Sequence, residues 1–239
     1  MSKQEPGFFS AENARTLFIL IILILCFRWS IASPYHVPTP SMEPTIKVGD
    51  RLLAFKLSYD LKIPFTDITI FKWSNPKRGD IVVFRYPKDP EIDYVKRVIG
   101  IAGDRLRFQD DILYVNGTQQ SRVESSDRSI LSDIEEPENI KQLFQENLDG
   151  IKHWVMQNEP GKRGLSNSNW PIQGEFHVPE GAIFVSGDNR DSSSDSRTWG
   201  TVPMEYIRGK AIFVIWSMYL PPESNFPKIR LNRFGHTLI

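Results

Sequence analysis

The chain has 239 residues, of which 29 are basic and 29 acidic, so its formal net charge is zero. This length fits one sizeable domain, or a core with an insert, and the balanced charge without a basic segment gives no reason to expect nucleic acid. The single cysteine, Cys26, excludes a disulfide within the chain and a zinc ribbon.

The first predicted element is a continuous apolar run from Leu17 to Phe27. Extended to Ala32, it is just long enough to span a bilayer. A buried core helix is one alternative, since the strictly apolar run is short. A cleaved signal peptide is another, since small residues follow the run. Arg28 and Trp29 favour a retained anchor, because an interfacial aromatic ring and a snorkelling arginine hold a helix at a defined depth.

The next notable stretch, Val37 to Ile46, reads VPTPSMEPTI and places Ser41 among three prolines. Prolines fix the backbone angle φ, and each pushes the preceding residue toward extended conformations. We therefore expect this stretch to be stiff and extended. Such a segment suits a side chain that must point in one direction.

Short β-branched runs between turn residues predict a mostly antiparallel β domain. Asn116 and Gly117 predict a hairpin turn, because both residues tolerate positive φ. The predicted strands are Ile81–Val83, Tyr94–Ile99, Ala182–Val185 and Ala211–Trp216.

A polar segment from about Ser121 to Gly174 interrupts this β pattern. It is rich in Ser, Asn, Glu and Gln, and we interpret it as an insert on the core. Within it, the stretch from Ile140 to Leu148 predicts a short helix.

Several common catalytic motifs are missing from the sequence. It has no HExxH zinc motif, no GxSxG nucleophile elbow, no P-loop and no Rossmann glycine pattern. Histidine is the usual general base, but none of the four histidines lies in a motif with Ser or Cys. We expect surface or structural roles for them: His36, His153, His177 and His236.

The acidic loop GDNRDSSSDSR, Gly187 to Arg197, directly follows a predicted strand. Its spacing does not suit calcium, because Arg190 occupies a ligand position if Asp188 opens the loop. We therefore expect no metal there. A solvated turn with self-capping Asp and Ser is the simplest interpretation. An ion pair of Asp195 with Arg197 is an alternative that would clamp the loop.

Lys96 lies within the predicted strand YVKRVIG. Strand alternation places it on one face with Tyr94 and Val98, and places Arg97 on the other. Lys96 either snorkels to solvent or is desolvated, in which case its pKa falls toward neutrality. A neutral lysine can take a proton from a serine hydroxyl. Spacing alone leaves open whether Lys96 meets Ser41.

Four blocks resemble those of the bacterial type I signal peptidases and occur along the chain in the same order as in that family. Its members are membrane-bound Ser–Lys proteases that cut leader sequences from exported proteins. PTPSMEPTI resembles the nucleophile box of that family, and GDNRDSSSDSR resembles its last box, which WGTVP (Trp199–Pro203) follows. RGDIVVF (Arg78–Phe84) and DYVKRVIGIAGD (Asp93–Asp104) resemble the strand box and the lysine box. The match covers roughly residues 35–110 and 181–217.

The resemblance implies a role for each residue that matches a family position. Ser41 would be the nucleophile and Lys96 the general base. Thr39, where many relatives have serine, would hold the oxyanion together with the Ser41 backbone N–H. Ser193 would orient the lysine amine by a hydrogen bond. The pair that would brace this loop is Asp195 and Arg197.

The resemblance also implies how a substrate binds. An extended preprotein would add as a strand between the segment before Ser41 and the segment before Lys96. Shallow pockets would select small residues, as in the Ala-x-Ala rule of leader cleavage. The residues expected to wall these pockets are Val37, Met42, Ile46, Tyr94 and Val95. No metal or cofactor is expected.

The implied fold is mainly β, with an antiparallel β-sheet catalytic core, an inserted smaller domain and one N-terminal transmembrane helix. We expect an N-terminal segment with the anchor (1–33), the first part of the core (34–110), the polar insert (111–180) and the second part of the core with a tail (181–239). The implied location is the bacterial inner membrane, with a single pass and the catalytic domain on the periplasmic or outer side. The expected partners are signal peptides of preproteins and the lipid bilayer, with proximity to the secretion translocon as a further expectation.

Three other interpretations stay open from the sequence. One is a specialised Ser–Lys peptidase that processes pilus or conjugation proteins. A self-cleaving repressor relative is disfavoured by the anchor and by the absence of a DNA-binding region. The third is a catalytically inactive, anchored β domain that binds envelope partners.

Overall fold

The computed structural model describes residues 11–64, 66, 68–109, 112–135, 138–159, 174–221 and 226–239. Over these residues the fold is mainly antiparallel β. The helices are α1 (Ala11–Ser30) and α2 (Ser196–Trp199). The strands are β1 (Ala32–His36), β2 (Asp50–Phe55), β3 (Asp60–Lys62), β4 (Thr69–Lys72), β5 (Ile81–Tyr86), β6 (Asp89–Gly100), β7 (Arg105–Gln109), β8 (Ile112–Val115), β9 (Thr118–Gln119), β10 (Arg122–Glu124), β11 (Lys141–Leu148), β12 (Ile151–Asn158), β13 (Phe176–His177), β14 (Ala182–Ser186), β15 (Val202–Pro203), β16 (Ile207–Tyr219) and β17 (Lys228–Ile229).

The main sheet has the strand order β1-β2-β16-β5-β6-β14-β15, and β17 also pairs with β16. Three smaller sheets have the orders β10-β11-β12, β13-β7-β8-β9 and β3-β4. The four strands predicted from β-branched runs are confirmed as β5, β6, β14 and β16. They lie next to one another in the sheet, in the order β16-β5-β6-β14.

Strand β5 shows why the main sheet forms from a continuous apolar run. Ile81 and Val83 pack into one buried cluster, and Val82 and Phe84 into another. Because successive side chains of a strand point to opposite faces, the two clusters lie on the two faces of the sheet. A strand buried on both faces needs apolar residues at every position, which explains the absence of polar alternation.

The hairpin predicted at Asn116 and Gly117 is confirmed. Their φ angles are 52° and 80°. They join β8 to β9, whose register pairs Val115 with Thr118.

The short helix predicted over Ile140–Leu148 is wrong, because Lys141–Leu148 form strand β11 and Ile140 ends a short 3-10 helix before it. Strand β11 pairs with β12 along its whole length. Asp149 and Gly150, with φ of 52° and 88°, form the two-residue turn between them. An Asp-Gly pair is a strong hairpin signal, and it outweighs the helix-forming residues that precede it.

The prediction that the stretch VPTPSMEPTI is extended is wrong for its middle part. Pro40–Met42 form a short 3-10 helix, which the Glu43 amide closes by donating to Pro40 O at 3.0 Å. The φ of proline suits the first position of a helix as well as an extended chain, so Pro40 starts the turn. Thr39 before it keeps the extended conformation, with φ −127° and ψ 149°.

The sheet β13-β7-β8-β9 contains residues from both sides of the predicted boundary at residue 110. Strand β7 ends at Gln109 and pairs with β8, which begins at Ile112. Strand β13 returns to pair with β7 near the other predicted boundary, at residue 180.

The helix α1 contains the apolar run predicted as an anchor. Its side chains from Leu17 to Leu25 are between 41% and 65% exposed. Within the part of the chain that the structure describes, no helix combines the length and the apolarity needed to cross a membrane. Residues 1–10 of the predicted anchor segment, and the Arg28 side chain expected at the interface, lie outside the described residues.

Candidate active site

The structure brings the side chains of Ser41 and Lys96 into contact. Lys96 Nζ lies 2.6 Å from Ser41 Oγ and donates a second hydrogen bond to Val95 O at 3.0 Å. Both residues are almost fully buried, with 6% exposure for Ser41 and 4% for Lys96. The alternative of a lysine that snorkels to solvent is therefore wrong.

The surroundings of Lys96 favour a neutral amine. Burial lowers its pKa from 10.5 to about 8, and the charge of Arg197 acts in the same direction. The carboxylates of Asp195 and Asp188 raise the pKa of Lys96, but they do not cancel the effect of burial. Lys96 Nζ also lies 5.3 Å from the centre of the Tyr94 ring. At a pKa of about 8, roughly a tenth of the amine is unprotonated at pH 7, and this fraction grows as the pH rises, so the neutral form that a general base requires is available.

The turn that carries Ser41 is fixed by the loop of residues 187–197. The backbone N–H of Asn189 donates to Ser41 O at 3.2 Å, and Asn189 Nδ2 donates to Pro40 O at 3.2 Å. Two bonds to consecutive carbonyl groups hold the short 3-10 helix in one orientation. Sequence reasoning did not identify Asn189.

The loop of residues 187–197 is buried around Asp195 and is not the solvated turn of the simplest interpretation. Asp195 accepts from Arg197 Nε at 2.9 Å, from Arg197 Nη2 at 2.8 Å and from Gly187 N at 2.9 Å. Burial alone would raise the pKa of Asp195, but the charge and hydrogen bonds of Arg197 bring it below its usual value. The predicted alternative of an Asp195–Arg197 clamp matches these contacts.

Ser193 lies beside this clamp. Its hydroxyl donates to Asp195 Oδ2 at 2.8 Å. Among the described residues, the hydrogen bonds of Lys96 Nζ go to Ser41 and Val95, so the predicted bond from Ser193 to the amine is not among them. The structure links Ser193 to Lys96 through Asp195, whose charge acts on the pKa of the amine.

A buried ion pair of Arg97 with Asp188 joins the lysine strand to the same loop. Arg97 Nε and Nη2 each lie 2.8 Å from a carboxylate oxygen of Asp188. Thr45, four residues after Ser41, donates to Asp188 Oδ2 at 2.6 Å. Sequence reasoning missed this pair, since strand alternation placed Arg97 on the face opposite Lys96 but did not show that this face is buried. A buried arginine requires a carboxylate partner.

The insert hairpin β11–β12 supports the loop from the other side. Met156 N donates to Asp188 O at 2.8 Å, and Arg190 N donates to Met156 O at 2.9 Å. The Arg190 guanidinium contacts both carboxylate oxygens of Glu146, at 2.5 and 3.2 Å. The loop is therefore held by backbone and charged contacts to the insert as well as by its own clamp.

A cavity of about 440 Å³ opens beside Ser41 and Lys96. Among the predicted substrate-binding residues, Val37, Tyr94 and Val95 line it, together with Thr39. Thr39 Oγ1 lies 3.3 Å from Ser41 Oγ. Further lining residues that the sequence reasoning did not name include Tyr35, Ile92, Ser192 and Ser194.

Met42 and Ile46 differ from the prediction that they wall the substrate pockets. Both are fully buried, at 0% exposure, in the core cluster on one face of the main sheet. Neither lines the cavity. Because the chain coils at Pro40–Met42, Met42 points into the core behind the cavity while Ser41 reaches it. Val37 and Val95 pack on the same cluster, so the core supports the cavity wall.

We expect Gly187→Ala to disturb the site by crowding. A Cβ atom there would lie 2.3 Å from both Ser193 Oγ and Ser41 O. Overpacking of this kind destabilises by about 1–3 kcal/mol. Displacement of the Ser41 segment is expected to lower kcat/KM for peptide cleavage about 10- to 100-fold. Gly103→Ala adds backbone strain at φ +85° but no crowding, so it is the control for a general loss of stability and should leave cleavage unchanged.

The described residues contain no group of three or more His, Cys, Asp or Glu side chains that could hold a metal ion. The charged groups near Lys96 are instead arranged as arginine–carboxylate pairs. The arrangement can perform nucleophilic catalysis with a lysine base.

Comparison with known proteins gives a family match over most of the chain. A family model described as "Signal peptidase, peptidase S26" matches residues 10–216. Signal peptidase I of Pseudomonas fluorescens is 34% identical, over 92% of this chain and 78% of the relative. Signal peptidase I of Aquifex aeolicus is 34% identical, over 93% of this chain and 92% of the relative. Signal peptidase I of Rickettsia typhi is 39% identical, over 86% of this chain and 80% of the relative.

Proposed function

Because this chain belongs to the signal peptidase family, peptidase S26, and is therefore a serine peptidase, we propose that it cleaves N-terminal signal peptides from exported preproteins through a Ser41–Lys96 dyad. The observation that carries the dyad is the 2.6 Å contact between Lys96 Nζ and Ser41 Oγ in a buried site. The lowered pKa of Lys96, about 8, supports the same assignment.

In the proposed mechanism, neutral Lys96 accepts the hydroxyl proton as Ser41 Oγ attacks the scissile carbonyl carbon. The ammonium of Lys96 then protonates the leaving amine, which becomes the N-terminus of the mature protein. The signal peptide stays as an ester on Ser41. A water molecule that gives its proton to Lys96 hydrolyses this acyl-enzyme and restores the hydroxyl.

The oxyanion of each tetrahedral intermediate requires hydrogen-bond donors. Thr39 Oγ1, at 3.3 Å from Ser41 Oγ, is close enough to be one donor, and the Ser41 backbone N–H is the second. Each such donor lowers the barrier by about 3 kcal/mol in well-studied cases. Thr39 is the extended residue before the 3-10 helix, two positions ahead of Ser41, and this position supports the role because it holds its hydroxyl beside Ser41 Oγ.

The substrate chain would lie extended between the segments that end at Ser41 and at Lys96. Both segments line the cavity, one through Tyr35–Ser41 and the other through Ile92–Lys96. Backbone hydrogen bonds along such a groove fix the register of a peptide. Side chains such as Val37 and Tyr94 leave room for small residues before the scissile bond, in keeping with an Ala-x-Ala preference. Around the dyad, Thr39 would serve the oxyanion and Val95 would form part of the cavity wall. The loop that supports Lys96 would be held by Ser193, Asp195 and Arg197.

The proposal includes anchoring of the chain in the bacterial inner membrane by α1. The supporting observation is the run of exposed apolar side chains from Leu17 to Leu25 on this helix. Soluble proteins rarely expose so much contiguous apolar surface. A single pass would place the β domain on the periplasmic or outer side, where signal peptides leave the translocon.

The test is to incubate the full chain in detergent with a preprotein whose signal peptide ends in Ala-x-Ala, and to sequence the new N-terminus. We expect a single cut directly after the second alanine. A matched preprotein with tryptophan at that position should be cut at least about tenfold more slowly, because the added ring does not fit a shallow pocket. Failure to produce a new N-terminus, or equal cutting of both preproteins, would contradict the proposed specificity.

A further inference from the structure

A second cavity, of about 330 Å³, lies against Pro44 and Thr45, a few residues after the nucleophile. It shares no lining residue with the cavity beside Ser41. Its volume is at the lower end of the range for small-molecule sites. Among the described residues that line it, the side chains able to carry charge are all basic: Lys47, Lys152, His153, Arg233 and His236.

Two of these basic side chains are buried and held in place. Lys47 is 6% exposed and its amine donates to Ser132 O. Arg233 is 7% exposed, binds Asp50 through Nε at 2.9 Å, and donates from Nη2 to Thr45 O at 3.0 Å. The cavity therefore has a fixed basic wall and is not lined only by flexible surface lysines.

The charged forms of Lys47 and His236 are disfavoured in this cavity, first by burial and then by the neighbouring cations. Burial, then the charges of Arg233 and Arg230, lowers the pKa of Lys47 to about 8. Asp133 and Glu43 act in the opposite direction without reversing the shift. Burial and the charge of Arg233 likewise lower the pKa of His236, despite the carboxylate of Asp50.

We propose that this cavity binds a phosphate group, either as a free oxyanion or as the phosphate monoester headgroup of a lipid. The amines of Lys47 and Lys152 and the imidazole of His236 donate to the phosphate oxygens. Bonds from cationic donors to a phosphate are short and strong. Arg233 stays with Asp50 and contributes its charge. An anion in this position is in contact with the Pro44–Thr45 segment, so its binding is expected to raise the melting temperature of the chain.

The test is titration of the full chain, in a neutral detergent, with inorganic phosphate at constant ionic strength set by chloride. Binding is followed by ³¹P NMR and by the melting temperature. We expect saturation, and at least a tenfold higher Kd for the double variant Lys152→Ser with His236→Gln. Both residues are exposed, so circular dichroism should show an intact fold. Lys88→Ser, which removes an exposed lysine from the β5–β6 turn, should bind phosphate as the unmodified chain does.

A second arm distinguishes the source of the phosphate. Micelles doped with phosphatidic acid are compared with undoped micelles, and bound lipid is measured by ³¹P NMR. Saturable lipid binding that the double variant weakens and free phosphate displaces assigns the cavity to a headgroup. Saturation by inorganic phosphate without lipid binding assigns it to a free oxyanion. Absence of saturation in both arms, or equal affinity in the double variant and the unmodified chain, would overturn the proposal.

Discussion

Replacing Ser41 with alanine is expected to lower kcat for preprotein cleavage by at least about 10⁴-fold, because loss of the nucleophile from a concerted catalytic unit removes most of its rate enhancement. The substitution deletes one oxygen from a buried position. The fold should be retained, since the turn is held by backbone contacts from Asn189 and not by the hydroxyl.

The measurement for Ser41→Ala is single-turnover cleavage of a preprotein, with circular dichroism and melting temperature as checks of the fold. Ser126→Ala is a matched control, because Ser126 is exposed on the insert, away from the cavity. Cleavage by the Ser41 variant at more than a few per cent of the unmodified rate would remove Ser41 from the mechanism. Loss of cleavage in the Ser126 variant would show that the assay reports something other than the dyad.

The central strands were predictable because local sequence and tertiary environment agree there. Runs such as Ile81–Val83 are β-branched and apolar, and the sheet buries both of their faces. The segment over Lys141–Leu148 was not predictable from composition, because its Glu, Gln and Leu residues suit helices as well. Its alternating buried positions include Glu146, whose burial depends on Arg190 from a distant loop. Only the Asp149-Gly150 turn signal pointed to a hairpin.

The candidate site shows the same division between local and long-range information. Strand alternation raised the possibility that Lys96 is desolvated. It could not predict the contact with Ser41, because this contact joins segments that are distant in the sequence. The loop of residues 187–197 appeared solvated because its Asp and Ser residues are polar. It is buried because arginines from several elements neutralise its carboxylates. Such compensation depends on three-dimensional pairing, and residue type alone does not reveal it.

Replacing Lys96 with methionine is expected to lower kcat/KM by at least about 10³-fold, because no base remains to take the proton of Ser41. In the unmodified chain, kcat/KM should rise with pH and level off above about 8, the pKa to which burial lowers Lys96. Below this pH the amine is protonated and cannot act as a base. This inflection should be absent from the residual activity of the variant.

The same substitution is expected to make the protein more stable at pH 7. The pKa of Lys96 is about 8 in the folded chain and 10.5 without burial, so the unfolded chain binds more protons between these values. Stability therefore rises with pH across this interval, and the full cost of burying the amine, on the order of 3 kcal/mol, is present below pH 8. Methionine has a similar unbranched stem and no charge, so it removes this cost while filling the space.

Thermal unfolding at pH 7 and pH 10.5 checks this second effect of Lys96→Met. We expect a higher melting temperature than that of the unmodified chain at pH 7, and a smaller difference at pH 10.5, where Lys96 is neutral in both states. Lys88→Met is the matched control, since that lysine is exposed and should affect neither cleavage nor the pH dependence. A variant that loses activity but is less stable at pH 7 would mean that the amine is held as a charged partner of Asp195 and Asp188, and a neutral base at Lys96 would then be wrong.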